Sequence, residues 1–209
     1  RTVTDVATIL GITEGELTAN VRNGLAKLIA EVERLRRDLD AKEHRIAYLE
    51  RLADEDPLAP ILNRRAFVRE LSRMMSFAER YGVASSVVYI DVNSMKRLND
   101  TYGHSAGDAA LAHVANILLA NVRGSDAVGR LGGDEFGVLL AQADQAAATA
   151  KAADLKREIE AKAVAWDGRE LVVTVSVGAC AFDGGGEPHE ILRAADQAMY
   201  RQKRGGASP

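Results

Sequence analysis

Two acidic features of the sequence could do chemistry together. Asp91 ends an apolar run over residues 86–92, where an ionised carboxylate is costly unless it is paired or binds a metal. Asp134 and Glu135 follow a Gly-Gly pair at the predicted tip of a hairpin. If that hairpin pairs beside the strand of Asp91, the carboxylates converge, and Mg²⁺ would relieve their repulsion. Alone, the Asp134-Glu135 pair is more typical of a solvated acidic turn.

The segment that follows Asp91 carries groups suited to a purine nucleotide. Asn99 and Asp108 can hydrogen-bond along the edge of guanine, whose N1–H and N2–H₂ donors suit a carboxylate that adenine would leave unpaired. Both have a structural alternative, because Asn99 could cap a helix and Asp108 could stabilise a helix N-terminus. For His104 we expect a structural hydrogen bond. No glycine loop ending in Lys-Ser or Lys-Thr is present, so a P-loop is excluded.

Composition excludes several classes of protein. Of the 209 residues, 27 are Lys or Arg and 30 are Asp or Glu, and the net charge of −3 argues against a general nucleic-acid coat. The one cysteine, Cys180, excludes an internal disulfide framework and a Cys-rich zinc site. No apolar run reaches the roughly 18 residues of a membrane span. We expect a cytoplasmic protein with no membrane segment and no nucleic-acid partner. Since the first residue is Arg1, we expect the sequence to be a fragment.

The first quarter of the sequence predicts a coiled coil. Residues 14–55 contain no proline, and Thr13 with Glu16 fits a capping box at the start of a helix. A narrow apolar stripe with heptad spacing predicts a parallel dimer, because the remaining faces are charged or small. A helix packed on its own domain is the alternative. The stripe has Leu25, Val32, Leu39 and Ile46 at a, Val21, Leu28, Leu35 and Leu49 at d, and Lys42 at the missing d position.

The rest of the chain predicts a folded domain over residues 56–209, after a coiled-coil domain over residues 1–55. Two prolines between residues 54 and 60 predict a short, stiff hinge. Hairpins mixed with helices predict an α+β fold, with a mainly antiparallel central sheet flanked by helices. The predicted helices are 64–81, 107–121, 143–162 and 190–204, and the predicted strands are 86–92, 127–131, 136–140 and a long strand 170–182 after a turn at 166–169.

Together these motifs resemble the GGDEF family, the diguanylate cyclases. Residues 130–136 read Arg-Leu-Gly-Gly-Asp-Glu-Phe, which is the family signature, and residues 91–108 resemble its second block. Residues 58–67 and 196–203 resemble its first and last blocks, so the match covers residues 56–205. The resemblance implies a sheet like that of nucleotidyl cyclases. It also implies that a homodimer condenses two GTP into cyclic di-GMP and pyrophosphate.

The resemblance also implies roles for individual residues. Asp91, the backbone carbonyl of Val92 and Asp134 would hold Mg²⁺ or Mn²⁺. Glu135 would assist deprotonation of the ribose 3′-hydroxyl and also contact the metal. The nucleotide would be bound by Asn99 and Asp108 at guanine, by Lys96 and Lys203 at the β- and γ-phosphates, and in the space left by Gly132 and Gly133.

A further pair of residues resembles the product-binding inhibitory site of the family. Arg123 and Asp126 form an RxxD pattern, and five residues separate Asp126 from Gly132. A guanidinium can bind a phosphate and stack on a base, and the carboxylate can accept from guanine. A surface salt bridge between the two side chains is the alternative. A second arginine completes this site in many members, and the sequence does not identify it here.

Three departures from the family pattern keep a second function open. Ala59, Pro60 and Ile61 replace Thr-Gly-Leu in the first block, and Asn93 stands where Asp is more usual. Ala207 stands where a second phosphate-binding basic residue is usual. The alternative to an enzyme is therefore a non-catalytic receptor, which binds cyclic di-GMP at the RxxD site and signals through the coiled coil.

Overall fold

The computed structural model describes residues 3–13 and 15–205. The chain divides into two compact units, residues 1–53 and residues 54–209. The helices are α1 (Val3–Ile9), α2 (Ala19–Asp54), α3 (Arg64–Tyr81), α4 (Met95–Tyr102), α5 (His104–Ala120), α6 (Gln145–Glu160) and α7 (Pro188–Gly205). The strands are β1 (Ser85–Val92), β2 (Ala127–Arg130), β3 (Glu135–Leu140), β4 (Val164–Trp166), β5 (Arg169–Leu171) and β6 (Val175–Phe182).

The long helix α2 begins later than the capping box predicts. Thr13 and Glu16 do bond to each other, since the Glu16 carboxylate accepts from the Thr13 N–H at 2.9 Å. They do so in a turn before the helix. The side chain of Thr18 is the one that accepts from the helical N–H of Val21, at 3.4 Å. The predicted start near residue 14 is therefore wrong, and α2 begins at Ala19.

The apolar stripe of α2 faces outward in the single chain. Leu25 is buried, whereas the other apolar a and d positions are exposed: Val21, Leu28, Val32, Leu35, Leu39, Ile46 and Leu49. One exposed apolar stripe along a long helix is typical of a coiled-coil helix that lacks its partner helix.

The second unit contains a four-stranded sheet in the order β2-β3-β1-β6, and every neighbouring pair is antiparallel. A separate hairpin of β4 and β5 follows α6. This arrangement confirms the predicted α+β fold. Strand β1 alternates between two apolar clusters, with Val88 and Ile90 in the cluster that includes α5 and α6 residues, and Val87 and Tyr89 in the one that includes α3 and α7 residues. Helices therefore cover both faces of the sheet.

The predicted long strand over residues 170–182 is divided in the structure. Leu171 ends the β4–β5 hairpin and Val175 begins β6 in the main sheet. Between them Val172 is 70% exposed and Val173 is buried, so the alternation of a strand continues while the partner strand changes. A run of β-branched residues does not show where a chain leaves one sheet for another.

The first block of the second unit is anchored to the sheet. Ala59 and Ile61 are core residues, although they depart from the family pattern. The N–H of Leu62 donates to the carbonyl of Val128 at 2.9 Å, and the N–H of Arg130 donates to the carbonyl of Leu62 at 2.8 Å. This segment covers the outer edge of β2.

Side chains of α6 cover the opposite edge of the sheet. The amide of Gln145 donates to the carbonyl of Ala179 at 3.1 Å and accepts from the N–H of Ala181 at 2.9 Å. Both edges are therefore protected against pairing with another sheet. In the part of the chain that is described, no helix combines the length and the apolar character needed to cross a membrane. The departure at Ala207 lies outside the described residues.

Candidate active site

The sheet brings two of the three predicted acidic residues, Asp91 and Glu135, together, and it places the backbone of Asp134 beside them. Asp91 on β1 and Glu135 on β3 are directly opposite each other in the antiparallel register. The N–H of Val92 donates to the carbonyl of Asp134 at 2.9 Å, which extends the pairing by one residue into the turn. Directly opposite residues of antiparallel strands have Cβ atoms about 5 Å apart, so Asp91 and Glu135 share one face of the sheet. The convergence predicted from the hairpin is therefore confirmed for Asp91 and Glu135.

Arg130 holds the turn formed by Gly132 and Gly133 through hydrogen bonds to its backbone. Its guanidinium donates to the carbonyls of Gly132 at 3.1 Å and Gly133 at 2.6 Å. It also forms a 3.4 Å ion pair with Asp56, and the two side chains are only 18% and 10% exposed. The turn is therefore tied both to β2 and to the first block of the domain. Sequence reasoning assigned no role to Arg130, although it is the first residue of the signature segment.

The two glycines of the turn have different roles. A Cβ atom at Gly132 would collide with the Oε2 atom of Glu135, so any side chain there would displace the carboxylate. A Cβ atom at Gly133 would meet nothing within 4 Å. The sequence predicted that both glycines make room for a nucleotide, whereas their surroundings in the structure differ. Gly132 makes room for Glu135, and Gly133 leaves open space on the outside of the turn.

Lys203 contacts the acidic cluster. Its Nζ atom lies 2.5 Å from the Oδ1 atom of Asp91, and the two side chains are 43% and 17% exposed. The amine that was expected at the phosphates therefore neutralises Asp91 in this arrangement. The amine end of this pair is partly exposed to water, which screens the attraction, so a divalent cation can displace the amine. The pair is thus a weak contact rather than a barrier to the site.

The donor set fits a hard divalent cation. Asp91, Asp134 and Glu135 supply carboxylates, the backbone of Val92 supplies a carbonyl, and Asp91 already attracts a cationic group in the form of Lys203. In residues 3–13 and 15–205, no three acidic, His or Cys side chains are arranged to hold one ion by themselves. Mg²⁺ suits such a site, since it binds one or two carboxylates and completes its shell with phosphate oxygens and water.

The predicted guanine-contacting residues lie on α4 and α5. Asn99 is inside α4 and so is not a cap, and its Oδ1 atom is the one buried side-chain polar atom without a partner among the described residues. A Cβ atom at Gly107 would overlap with that oxygen, so the Asn99 side chain packs directly against Gly107. Asp108 lies beyond the first turn of α5 and is exposed, as is Lys96 on α4. Neither structural alternative is therefore observed.

His104 differs from its prediction. It is the first residue of α5 and is exposed. Within the described residues it makes none of the hydrogen bonds that a structural role would need. Asn93, by contrast, has a structural role, because its Oδ1 atom accepts from Ser176 at 2.9 Å and its amide lies 3.4 Å from Thr174. Its side chain thus links the end of β1 to the start of β6.

Comparison with known proteins identifies the family. The profile described as diguanylate cyclase, GGDEF domain, matches residues 53–209. The chain belongs to the GGDEF diguanylate cyclase family. It is 37% identical over 152 residues to diguanylate cyclase DosC of Escherichia coli K12, which covers 72% of this chain and 33% of DosC. The chain thus spans about a third of the length of the curated relatives it matches.

Solved structures agree with the GGDEF assignment. The coiled coil and GGDEF domain of DgcB from Caulobacter crescentus, in complex with c-di-GMP, is 28% identical with a TM-score of 0.73, covering 89% of this chain and 95% of DgcB. Diguanylate cyclase SiaD of Pseudomonas aeruginosa, in complex with its activator SiaC, is 27% identical with a TM-score of 0.71, covering 98% of this chain and 82% of SiaD.

The RxxD pair of this GGDEF domain does not form the surface salt bridge considered from the sequence. Both side chains are described, and no ion pair joins them. Instead, Asp126 accepts from the backbone N–H of Arg123 at 3.0 Å and from that of Ala141 at 3.2 Å. The carboxylate thus fixes the loop that carries Arg123, and the guanidinium is left for other contacts.

A second arginine lies beside the RxxD pair. Arg73 of α3 and Arg123 both line a cavity of about 410 Å³, together with Phe77, Ser125 and Gln142. Sequence reasoning missed Arg73, because 50 positions separate it from Arg123 and no local pattern marks an arginine on an exposed helix face. The cavity offers two guanidinium groups and one aromatic ring to an anionic, ring-bearing ligand. Glu70 also lines it and forms a 2.9 Å ion pair with Arg73, with which such a ligand would compete.

The Lys203–Asp91 contact leads to a prediction about metal affinity. Replacing Lys203 by Met removes the competing cation, so Mn²⁺ should bind the nucleotide-free protein roughly 2- to 5-fold more tightly, as expected from a pair worth up to about 1 kcal/mol. Titration calorimetry with Mn²⁺ measures this change. Arg201→Met, which removes one positive charge from the same helix, is the matched control and should change the affinity less. Equal affinities for Lys203→Met and the parent protein would contradict the prediction.

Proposed function

We propose that this GGDEF chain is a diguanylate cyclase that condenses two GTP molecules into cyclic di-GMP and two pyrophosphates. The observation that carries the proposal is the register of β1 and β3, which sets Asp91 opposite Glu135 and joins Val92 to Asp134. Carboxylates gathered on a fixed turn favour phosphoryl-transfer chemistry, where charge must be neutralised around an in-line attack. DosC and SiaD, which this chain resembles, are both named diguanylate cyclases.

In the proposed reaction the 3′-oxygen of one GTP attacks the α-phosphorus of the other. The new phosphodiester bond forms as the bond from the α-phosphorus to the bridging oxygen breaks, and pyrophosphate leaves with that electron pair. Glu135 accepts the proton of the 3′-hydroxyl. Asp91, Asp134 and the Val92 carbonyl would hold Mg²⁺ or Mn²⁺, which would supply charge neutralisation and make that hydroxyl more acidic. Because each product needs two such attacks, two domains face each other with one GTP each.

Residues of α4, α5 and α7 would bind and orient the nucleotide. The buried, unpartnered Oδ1 atom of Asn99 needs a hydrogen-bond donor, which the guanine edge supplies. Asp108 is exposed nearby in sequence on α5 and accepts from guanine, which discriminates against adenine. Lys96 and Lys203 hold the β- and γ-phosphates, and Lys203 would leave Asp91 to do so. Binding would thus exchange one ion pair of Lys203 for another.

We further propose that α2 forms a parallel coiled-coil homodimer, which raises the effective concentration of the second active site and controls activity. The exposed apolar stripe of α2 supports this proposal. The solved structure of DgcB is likewise described as a coiled coil followed by a GGDEF domain, which supports the proposal.

Disrupting the seam should therefore lower activity. Leu28→Lys combined with Leu35→Lys places two cations at exposed d positions, where they leave the isolated helix intact and oppose pairing. We expect loss of the dimer at micromolar concentration, and roughly a 10-fold or greater fall in specific rate. Analytical ultracentrifugation and rates over a range of protein concentrations measure both. Ala30→Lys, at an exposed position outside the stripe, is the control and should remain dimeric. A monomer with the parent rate would refute the dimer requirement.

Product inhibition at the cavity of Arg73 and Arg123 is the remaining part of the proposal. Two guanidinium groups suit the phosphates of cyclic di-GMP, and Phe77 suits its bases. DgcB was solved in complex with c-di-GMP, which supports a product site in a related domain.

Incubation with GTP and Mg²⁺ tests the proposed function directly. Chromatography should detect cyclic di-GMP, and the product should be absent when ATP replaces GTP. If the chain forms no product but binds cyclic di-GMP tightly, the receptor is the correct function and the cyclase proposal fails. The specific observation that favours the receptor is the Arg73–Arg123 cavity, which needs no catalysis to bind the dinucleotide.

A further inference from the structure

A cavity beside the end of β1 is not used by the proposed chemistry. It has a volume of about 460 Å³ and lies between α4 and the segment that joins β5 to β6, with Val92 among its lining residues. Two apolar side chains at its rim face water, since Tyr102 is 40% exposed and Val172 is 70% exposed. Exposed apolar groups gathered around one cavity are typical of a surface that contacts a partner.

The rim of this cavity is held in place by the domain itself. The guanidinium of Arg169 lies over the ring of Tyr102, 5.9 Å from the ring centre, which ties the β4–β5 hairpin to α4. Val173 is buried next to Val172, so the extended segment turns Val172 outward. A surface that is already ordered loses little conformational entropy when a partner binds to it.

The charges around the cavity have both signs and are not used within the chain. Arg97 of α4 and Glu170 of β5 both line the cavity, and both are exposed. Among residues 3–13 and 15–205, neither of these side chains forms an ion pair. A surface with an apolar centre and unpaired charges of both signs is self-complementary, because a two-fold rotation can place each arginine opposite the glutamate of a second copy.

The position of the cavity indicates which partner would lie there. Val92 ends β1, next to Asp91, and its backbone carbonyl belongs to the proposed metal site. The condensation of two GTP molecules requires a second domain, which must approach this end of the sheet with its own nucleotide. A second copy of the chain therefore fits the location, the mixed charge and the apolar rim together.

We propose that the surface around this cavity, formed by Arg97, Tyr102, Glu170 and Val172, is the contact between two GGDEF domains during the condensation. This inference rests on the proposed function, in which the two domains face each other. Arg97 of one copy pairs with Glu170 of the other, and the apolar side chains pack between these pairs. The contact orients the two nucleotides, whereas the coiled coil only keeps the domains near each other.

Charge reversal tests the contact through mixed dimers. Arg97→Glu and Glu170→Arg, each as a homodimer, place like charges opposite each other, so we expect kcat to fall roughly 5- to 30-fold. Co-expressed with two different affinity tags, the two variants form mixed dimers in which every such pair is attractive again, and kcat should return to within about 3-fold of the parent value. A loss caused within one chain, such as weaker GTP binding, would persist in the mixed dimers. Arg80→Glu, a charge reversal at the exposed end of α3, is the control and should keep the parent kcat.

Cross-linking gives a readout that does not depend on turnover. Cys180 is the one cysteine of the sequence, so a Cys180→Ser background carries no other thiol. With GTP and Mn²⁺ present, a short bis-maleimide should join two Val172→Cys chains at least about 5-fold faster than two Leu119→Cys chains, as expected for thiols held close together. Leu119, on α5, is also exposed at the surface and serves as the matched control position.

The two readouts separate this inference from the proposed function. If the Val172→Cys chains cross-link as expected and the parent chain makes no cyclic di-GMP, the contact stands and the cyclase proposal fails. If the parent chain makes cyclic di-GMP but the mixed dimers are no more active than the single variants, the contact is wrong and the cyclase proposal stands. Val172→Cys chains that cross-link no faster than Leu119→Cys chains overturn the contact in either case, and the surface is then left to a partner of another kind.

Discussion

Glu135→Gln is expected to reduce the rate of cyclic di-GMP formation by about 10²- to 10⁴-fold, as for the loss of a general base. The substitution keeps the side-chain shape that fits beside Gly132. It removes the proton acceptor and one negative charge beside Asp91. A 100-fold loss corresponds to about 2.7 kcal/mol of transition-state stabilisation, which is far more than a surface charge change produces. The rate of pyrophosphate release at saturating GTP and Mg²⁺ measures this loss.

The control for this variant is Glu79→Gln, which makes the same chemical change at an exposed position on α3. Its rate should equal that of the parent chain. Thermal unfolding should give the same midpoint for Glu135→Gln and the parent chain within a few degrees, which shows that the fold is intact. If Glu135→Gln retains more than a third of the parent rate in an active preparation, Glu135 is not the proton acceptor.

The antiparallel sheet and the site at its edge could be predicted from the sequence because both depend on local patterns. The amphipathic pattern of α3 gave its bounds at Arg64 and Tyr81 as observed. The apolar run before Asp91 indicated a central strand, and the Gly-Gly turn indicated a hairpin. A hairpin beside a central strand brings Asp91 and Glu135 together in an antiparallel sheet, so their pairing follows from topology alone.

Contacts between distant side chains could not be predicted in this way. The amine of Lys203 lies on Asp91, 112 positions away in sequence, and Arg130 pairs with Asp56, 74 positions away. These contacts depend on how α7 and the first block pack against the sheet. The apolar periodicity of the sequence does not predict that packing.

Arg123→Ala should raise the concentration of cyclic di-GMP that halves the rate by at least about 10-fold, since a guanidinium bonded to phosphate contributes more than about 1.4 kcal/mol. The structure makes this a cleaner test than Asp126→Ala. Asp126 accepts from the backbone of Arg123 and Ala141, so its loss would disturb the loop as well as the ligand. The uninhibited rate of Arg123→Ala should stay within about 2-fold of the parent rate, because the cavity is lined by none of the acidic residues of the signature turn.

Arg73→Ala provides the second half of the test of product inhibition. Arg73 shares the cavity of Arg123, so its loss should weaken inhibition in the same direction. Arg80→Ala, at the exposed end of the same helix, should leave inhibition unchanged. Initial rates at increasing cyclic di-GMP concentrations, with GTP held constant, give the three inhibition curves. If Arg123→Ala and Arg73→Ala are both inhibited as strongly as the parent chain, the product binds elsewhere and the proposed inhibitory site is wrong.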